Sequence, residues 1–226
     1  MHPLDRPIWT AMQTRQASLA SGGARALRFP GEVSPFAATP DTSPASVEAL
    51  AALLRAGEEF ALLEPDFPAP PPGVSMAIGG ACLQMLASAF TAGGRSAPFE
   101  PLGERDAAEM YDLAMLTKPG PFRARTHTLG RFIGVRDQGR LVAMAGERLN
   151  VEGFHEISAV CTHPEYRGRG YGAALMRAVG TRILDEGDTP FLHTYANNET
   201  AIALYQSLGF TVRAEITHFI WKREAA

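Results

Sequence analysis

Between Gly172 and Asp185, the residues Leu175, Met176, Val179, Ile183 and Leu184 line up along one side at the spacing of an amphipathic helix. Val47, Leu50, Leu53 and Leu54 follow the same rule behind Ser46, a candidate N-cap, and predict a helix over Val47 to Leu54. Further helices are expected over Trp9 to Ala20, Glu104 to Leu116 and Asn198 to Leu208, the last stopped by Gly209. Shorter apolar or alternating runs read as strands: Phe60 to Leu63, Arg131 to Arg136, Leu141 to Leu149, His155 to Thr162, Phe191 to Tyr195, Phe210 to Glu215 and Ile216 to Trp221. Asp137-Gln138-Gly139-Arg140 is a hairpin turn with its glycine, and Asn150 to Gly153 is the next turn. Alternation along His155 to Thr162 puts Glu156, Ser158, Val160 and Thr162 on one face.

Two breaks divide the chain. Glu64 to Gly73 is crowded with prolines, which lack the amide donor that a helix or strand needs, so it is a loop. Thr91 to Pro98 is small, polar and flexible, as linkers are, and places a domain boundary at 94/95. The expected organisation is a smaller N-terminal α/β domain over 1–94, followed by a second domain over 95–226. No internal repeat is visible.

Composition narrows the partners. With 226 residues, 46% hydrophobic and 20% charged, the chain can bury a core. Lys and Arg total 21 against 24 Asp and Glu, without the basic excess that nucleic acid requires. Val74 to Phe90 is too short for a membrane span and is interrupted by Gly79, Gly80, Gln84 and Ser88, so it reads as a buried strand pair and no membrane partner is expected. Cys82 and Cys161 are too far apart for a metal motif and are expected reduced, and His127, His155 and His163 lack metal-ligand spacing, so no metal is expected. The start of the sequence lacks a basic flank and a continuous apolar stretch, which points to the cytoplasm.

The segment Val160-Cys161-Thr162-His163-Pro164-Glu165-Tyr166-Arg167-Gly168-Arg169-Gly170-Tyr171-Gly172 sets a glycine-dense turn between a strand and a helix. Such a turn presents free amides at the positive end of a helix, where a pyrophosphate can sit, and Arg167 and Arg169 add charge. Taken alone, the pattern fits close packing equally well. It is neither a phosphate-binding loop ending in Lys-Ser/Thr nor a dinucleotide fingerprint.

A second segment, Asn198 to Phe210, completes a pair. Together the two resemble the GCN5-related N-acetyltransferase (GNAT) superfamily, whose signature is R/Q-x-x-G-x-G/A followed by N-x-x-A-x-x-L-Y-x-x-x-G-F. Arg167, Gly170 and Gly172 match the first part; Asn198, Ala201, Leu204, Tyr205, Gly209 and Phe210 match the second. The approach from Leu192 to Asn198 resembles the FR47-like branch, and the likeness covers roughly residues 99 to 223. The resemblance implies an acyl-CoA N-acyltransferase fold, a mixed, mostly antiparallel sheet flanked by helices. It implies transfer of an acetyl group from acetyl-CoA to a primary amine, small molecule or peptide, by direct attack on the thioester.

The same resemblance implies roles for individual residues. The backbone of Val160, Cys161 and Thr162 would pair with pantetheine, the turn Gly168, Arg169, Gly170, Tyr171, Gly172 and Ala173, with Arg167, would cradle the pyrophosphate, and Asn198 would contact the cofactor arm. Tyr205 would protonate the departing thiolate, which suits a phenol of pKa about 10 that stays protonated at neutral pH; as a plain helix residue it would pack with its hydroxyl bonded. An alkylamine is mostly charged at pH 7, so a base is needed, and Glu156 and His193 compete for that role. Glu156 could instead be a strand-end carboxylate paired to an arginine, and His193 a buried, hydrogen-bonded histidine. Cys161 reads as a core residue rather than an acyl carrier. Thr117 to Phe122 lies where the family places its acceptor loop, or is a proline-stiffened turn. The N-terminal domain would cover the acceptor side or form a homodimer surface. A non-catalytic acyl-CoA sensor and an acyltransferase for longer chains are the alternatives.

Overall fold

The computed structural model describes residues 2–91 and 96–225. The chain runs through α1 (Pro7–Gln13), β1 (Ser21–Gly23), β2 (Ala26–Arg28), β3 (Ala37–Ala38), α2 (Pro44–Leu53), β4 (Glu59–Glu64), β5 (Ser75–Leu86) and β6 (Glu100–Leu102). It continues through α3 (Ala107–Thr117), β7 (Phe132–Asp137), β8 (Arg140–Val151), β9 (Phe154–Thr162), α4 (Tyr171–Asp185), β10 (Thr189–Tyr195), α5 (Glu199–Leu208) and β11 (Thr211–Lys222). Eight strands form one sheet in the order β4-β11-β5-β10-β9-β8-β7-β6, and β1-β2-β3 form a small second sheet. All pairs in the large sheet are antiparallel except β9 with β10. This is the mixed, mostly antiparallel sheet expected.

The boundary expected at 94/95 does not separate two sheets. β5, which precedes it, lies between β10 and β11, which follow it, and β4 closes the edge beside β11. Within the expected linker, Thr91 and Ser96 to Pro98 carry no helix or strand, while 92–95 lie outside the described residues. Long-range strand pairing unites what composition divides.

Local differences have local causes. Within Val74 to Phe90 the structure has one long strand, β5 (Ser75–Leu86), not a pair: Gly79 stands where a Cβ would collide with the His218 ring of β11, so glycine here makes room for a neighbour rather than a turn. The two strands expected over Phe210 to Trp221 likewise form one, β11 (Thr211–Lys222), with register slips between Val212 and Ala214 and between His218 and Phe219 that bend it without breaking it. The first helix stops at Gln13, where the Thr14 hydroxyl turns back to the Thr10 carbonyl at 2.7 Å, and only a short 3-10 turn follows over Ala17–Leu19.

The core lies on both faces of the large sheet. Adjacent residues of β10 divide between them: Phe191 joins a cluster with Ile8 and Met12 of α1, and Leu192 one with Leu175, Met176, Val179 and Ile183 of α4. Each fully buried side chain of this size contributes roughly 1.5–3 kcal/mol. Among the described residues no helix is long and apolar enough to cross a membrane.

Candidate active site

β9 and β10 run parallel for three paired residues, Thr189 with Phe154, Pro190 with His155 and Phe191 with Glu156, and then part. A bulge in β9 accompanies the parting. The ladder to β8 passes from Gly146 opposite Ser158 to Met144 opposite Cys161, one residue more on β9 than on β8, and Ala159 takes the left-handed conformation at φ 53°. That backbone is unfavourable for alanine and is held by its surroundings. It also overturns the expected alternation: Val160 packs toward the α4 cluster with Ile157, while Ala159 and Cys161 join the cluster of α3. A strand edge is thereby left open from Ile157 to Thr162.

The opening is a cavity of about 710 Å³. On one side it is lined by Val160, Cys161, Thr162, Arg167, Gly172, Asn198, Ala201, Leu204 and Tyr205, so many of the residues expected to hold the cofactor are brought together. Gly168 and Gly170 both take positive φ, 75° and 81°, which glycine adopts without strain. Gly170 is the N-cap of α4 and supplies no side-chain cap; the first helical bond runs from the Ala174 amide to its carbonyl at 3.1 Å. The amides of Tyr171, Gly172 and Ala173 therefore precede the helical ladder at the positive end of a 15-residue helix, a ready anion site. Arg169 stacks over the Tyr166 ring at 4.4 Å. Asn198 caps α5 through Oδ1, which accepts from the Ala201 amide at 3.3 Å.

Tyr205 is half-buried on α5, edge-on to Phe210 at 6.2 Å between centroids, and burial holds its phenol above the ordinary value. Cys161 is a buried thiol pushed up to about 11, chiefly by burial, and so stays protonated.

Both base candidates are engaged in hydrogen bonds, and of the two only His193 lines the cavity. Glu156 is 0% exposed and does not line the cavity. Its carboxylate takes a fork from Arg148, Nε to Oε2 at 2.8 Å and Nη2 to Oε1 at 2.6 Å, and a third bond from Nδ1 of His193 at 2.7 Å. Burial opposes its charge, but the attraction and hydrogen bonds of Arg148, followed by those of His193, prevail and bring the carboxyl down to about 2. The other ring nitrogen of His193, Nε2, lies 3.1 Å from Nε2 of the buried Gln84 amide, whose oxygen accepts from Arg213 at 2.8 Å. Glu156 is thus paired to an arginine and His193 is hydrogen-bonded through both ring nitrogens, with His193 facing the cavity.

Beyond this network the cavity reaches the opposite face of the sheet, where Phe36, Leu63 and Cys82 from the first third of the chain meet Arg148, Tyr195 and His218. Thr117 to Pro121, at the end of α3, form part of the wall. His218 Nδ1 sits 3.0 Å from the Tyr195 hydroxyl, and its Nε2 is buried without a partner among the described residues. Burial, then the charge of Arg148, lower its pKa below the ordinary histidine value, which keeps the ring neutral at pH 7. Arg148, Tyr195 and His218 escaped the sequence reading because β5, β8, β10 and β11 must pair before they meet. A charged Glu147-Arg148 pair inside an apolar run was the available signal.

A family model described as FR47-like protein matches residues 132–221. A solved GNAT-family structure from Novosphingobium aromaticivorans is 40% identical, with 100% of both chains covered and a TM-score of 0.92. A GCN5-related N-acetyltransferase from Kribbella flavida shares the fold at 16% identity, covering 94% of each chain with a TM-score of 0.64. Among curated proteins, a mycothiol acetyltransferase of Corynebacterium aurimucosum is 35% identical over 71 residues, 31% of this chain and 23% of that protein. The N-alpha-acetyltransferase RimI of Mycobacterium tuberculosis is 37% identical over 84 residues, 35% of this chain and 51% of that protein. The chain thus spans about a quarter to a half of the length of these curated relatives. With the full-length likeness at 40% identity, the paired motif and the parted strands β9 and β10 in agreement, the chain belongs to the GNAT family.

Proposed function

We propose that the protein is an acetyl-CoA-dependent N-acetyltransferase that acetylates a primary amine by direct attack on the thioester. The observation that carries this reading is the cavity between β9 and β10, which has an unsatisfied helix N-terminus on one side and extends to Phe36, Leu63 and Cys82 on the other. Acetyl-CoA would lie along β9, its pantetheine against the open edge from Val160 to Thr162 and its diphosphate at the amides of Tyr171, Gly172 and Ala173, with Arg167 beside them. The amine enters from the face of Phe36, Leu63 and Cys82.

In the reaction the amine nitrogen bonds to the thioester carbonyl carbon, and the carbon–sulfur bond then breaks. Main-chain amides beside the bulge at Ala159 would stabilise the developing oxyanion. The Tyr205 phenol gives its proton to the leaving sulfur. The amine proton passes to the Tyr195 oxygen as the Tyr195 hydroxyl proton moves to Nδ1 of the neutral His218. Glu156 and His193 act as positioning residues that hold Arg148 and the strand edge beside the cavity. Both cysteines are free thiols, in keeping with a cytoplasmic enzyme.

The test is release of free CoA from acetyl-CoA across a panel of amines. Amine-dependent release with an N-acetylated product supports the reading. Tight binding of acetyl-CoA with no turnover on any amine would mark an acyl-CoA-binding module instead.

A further inference from the structure

The acceptor end of the cavity has a charge pattern that bears on which amine it takes. Among the described residues no aspartate or glutamate lines the cavity, whereas Lys118, Arg148 and Arg167 do. Lys118 and Arg167 belong to the rims. Arg148 is 8% exposed and stands in the interior. An amine with several positive charges would be stripped of water there without a carboxylate to meet it, a loss that buried cations do not sustain.

Arg148 is also held as a binding group is held. Glu156 takes Nε and Nη2, which fixes the plane of the guanidinium, and the Phe36 ring lies beneath it at 4.8 Å. No bond from Nη1 is made within the protein among the described residues, and Nη1 is not among the buried polar atoms lacking a partner, so it stays reachable from the cavity. The charge of Arg148 is felt at Cys82, Tyr195 and His218, which places all three around it. Phe36, Leu63 and Cys82 make the rest of this end apolar.

We infer that the acceptor is an amine that also carries a carboxylate, of the α-amino-acid class with an apolar side chain, and that Nη1 of Arg148 receives the carboxylate. The inference rests on the acetyltransferase reading for its reaction, though the anion site itself does not. The carboxylate accepts from Nη1, the apolar side chain lies against Phe36 and Leu63, and the amine is left toward Tyr195 and the thioester.

The experiment compares L-leucine and L-phenylalanine with their α-amides and with spermidine in the CoA-release assay. The free acids are expected to react with kcat/KM at least tenfold above the amides. Replacing both partners together, Arg148→Gln with Glu156→Gln, avoids a lone buried charge; the folded double variant is expected to bind CoA as before and to lose the preference for acids. Preference for amides or spermidine, or an unchanged preference in that folded variant, overturns the inference while leaving the acetyltransferase reading intact. Binding of N-acetyl-L-leucine and N-acetyl-L-leucinamide to the CoA-loaded wild type decides the anion site without turnover or variants. Tighter binding of the acid supports it, and equal or weaker binding overturns it. Absence of turnover on every amine is the separate failure of the acetyltransferase reading.

Discussion

His193 and Glu156 are bonded to each other: Nδ1 of His193 donates to Oε1 of Glu156 at 2.7 Å. The sequence casts them as rivals for one proton, yet in the fold each occupies the other's bonding capacity, and Arg148 and Gln84 take what remains. A carboxylate so held is a poor proton acceptor at pH 7 and a good anchor. Glu156, His193, Arg148 and Gln84 therefore form one charged, hydrogen-bonded network.

Glu156→Gln leaves Arg148 buried beside a neutral partner. The expected loss is about 3–5 kcal/mol of unfolding free energy at pH 7, measured by urea titration. The native carboxyl near 2 lies below its unfolded value, so its contribution is present above the unfolded pKa and is lost as pH falls through the native one. At pH 2 the variant and the wild type should therefore converge. A difference that persists undiminished there would contradict the buried pair.

Tyr205→Phe removes the proposed proton donor and keeps the ring against Phe210. We expect kcat to fall by roughly 10²-fold or more, with acetyl-CoA affinity changed less than about threefold. Loss of affinity with kcat preserved would make the tyrosine a packing residue.

His218 must be neutral to accept a proton, and burial lowers its pKa below 6.5. The kcat/KM profile is expected to rise with pH through a group below 6.5 and to level off by pH 7; in His218→Gln the rate falls and that limb disappears. An acid limb that survives the substitution assigns the proton to another group.

Glu64 is an independent check on the buried charges. Burial, only partly offset by Arg6 at 3.3 Å, raises its carboxyl to about 7. Between the unfolded pKa and about 7 the folded chain keeps a proton that the unfolded chain releases, so stability falls as pH rises across that window. Glu64→Gln is expected to gain roughly 2–3 kcal/mol over wild type at pH 8 and little at pH 4. A gain that does not change with pH would contradict the raised carboxyl.

Elements governed by local spacing were legible from the residues alone. The turn between β9 and α4 and the helix from Asn198 to Gly209 follow from glycine conformations and caps that act within a few residues. What was not legible depended on pairing across the chain. Gly79 and Gly80 look like a turn until His218 is placed beside Gly79, and the strand around Cys82 looks like part of a separate domain until β10 and β11 flank it. The bulge at Ala159 has no residue signature, since alanine at positive φ is imposed by the surroundings. For the same reason the alternation of β9 failed and Arg148, Tyr195 and His218 went unseen.

Every step of the proposed reaction requires the helix N-terminus at Gly170 to hold the coenzyme diphosphate. Calorimetric titration of the whole protein with acetyl-CoA, alongside Gly170→Ala, addresses it directly. Alanine at φ 81° is strained by roughly 1–2 kcal/mol and shifts the amides of Tyr171, Gly172 and Ala173, so the predicted result is one site per chain in the wild type and affinity about tenfold weaker in the variant. No heat in the wild type, or equal affinity in a folded variant, would contradict it.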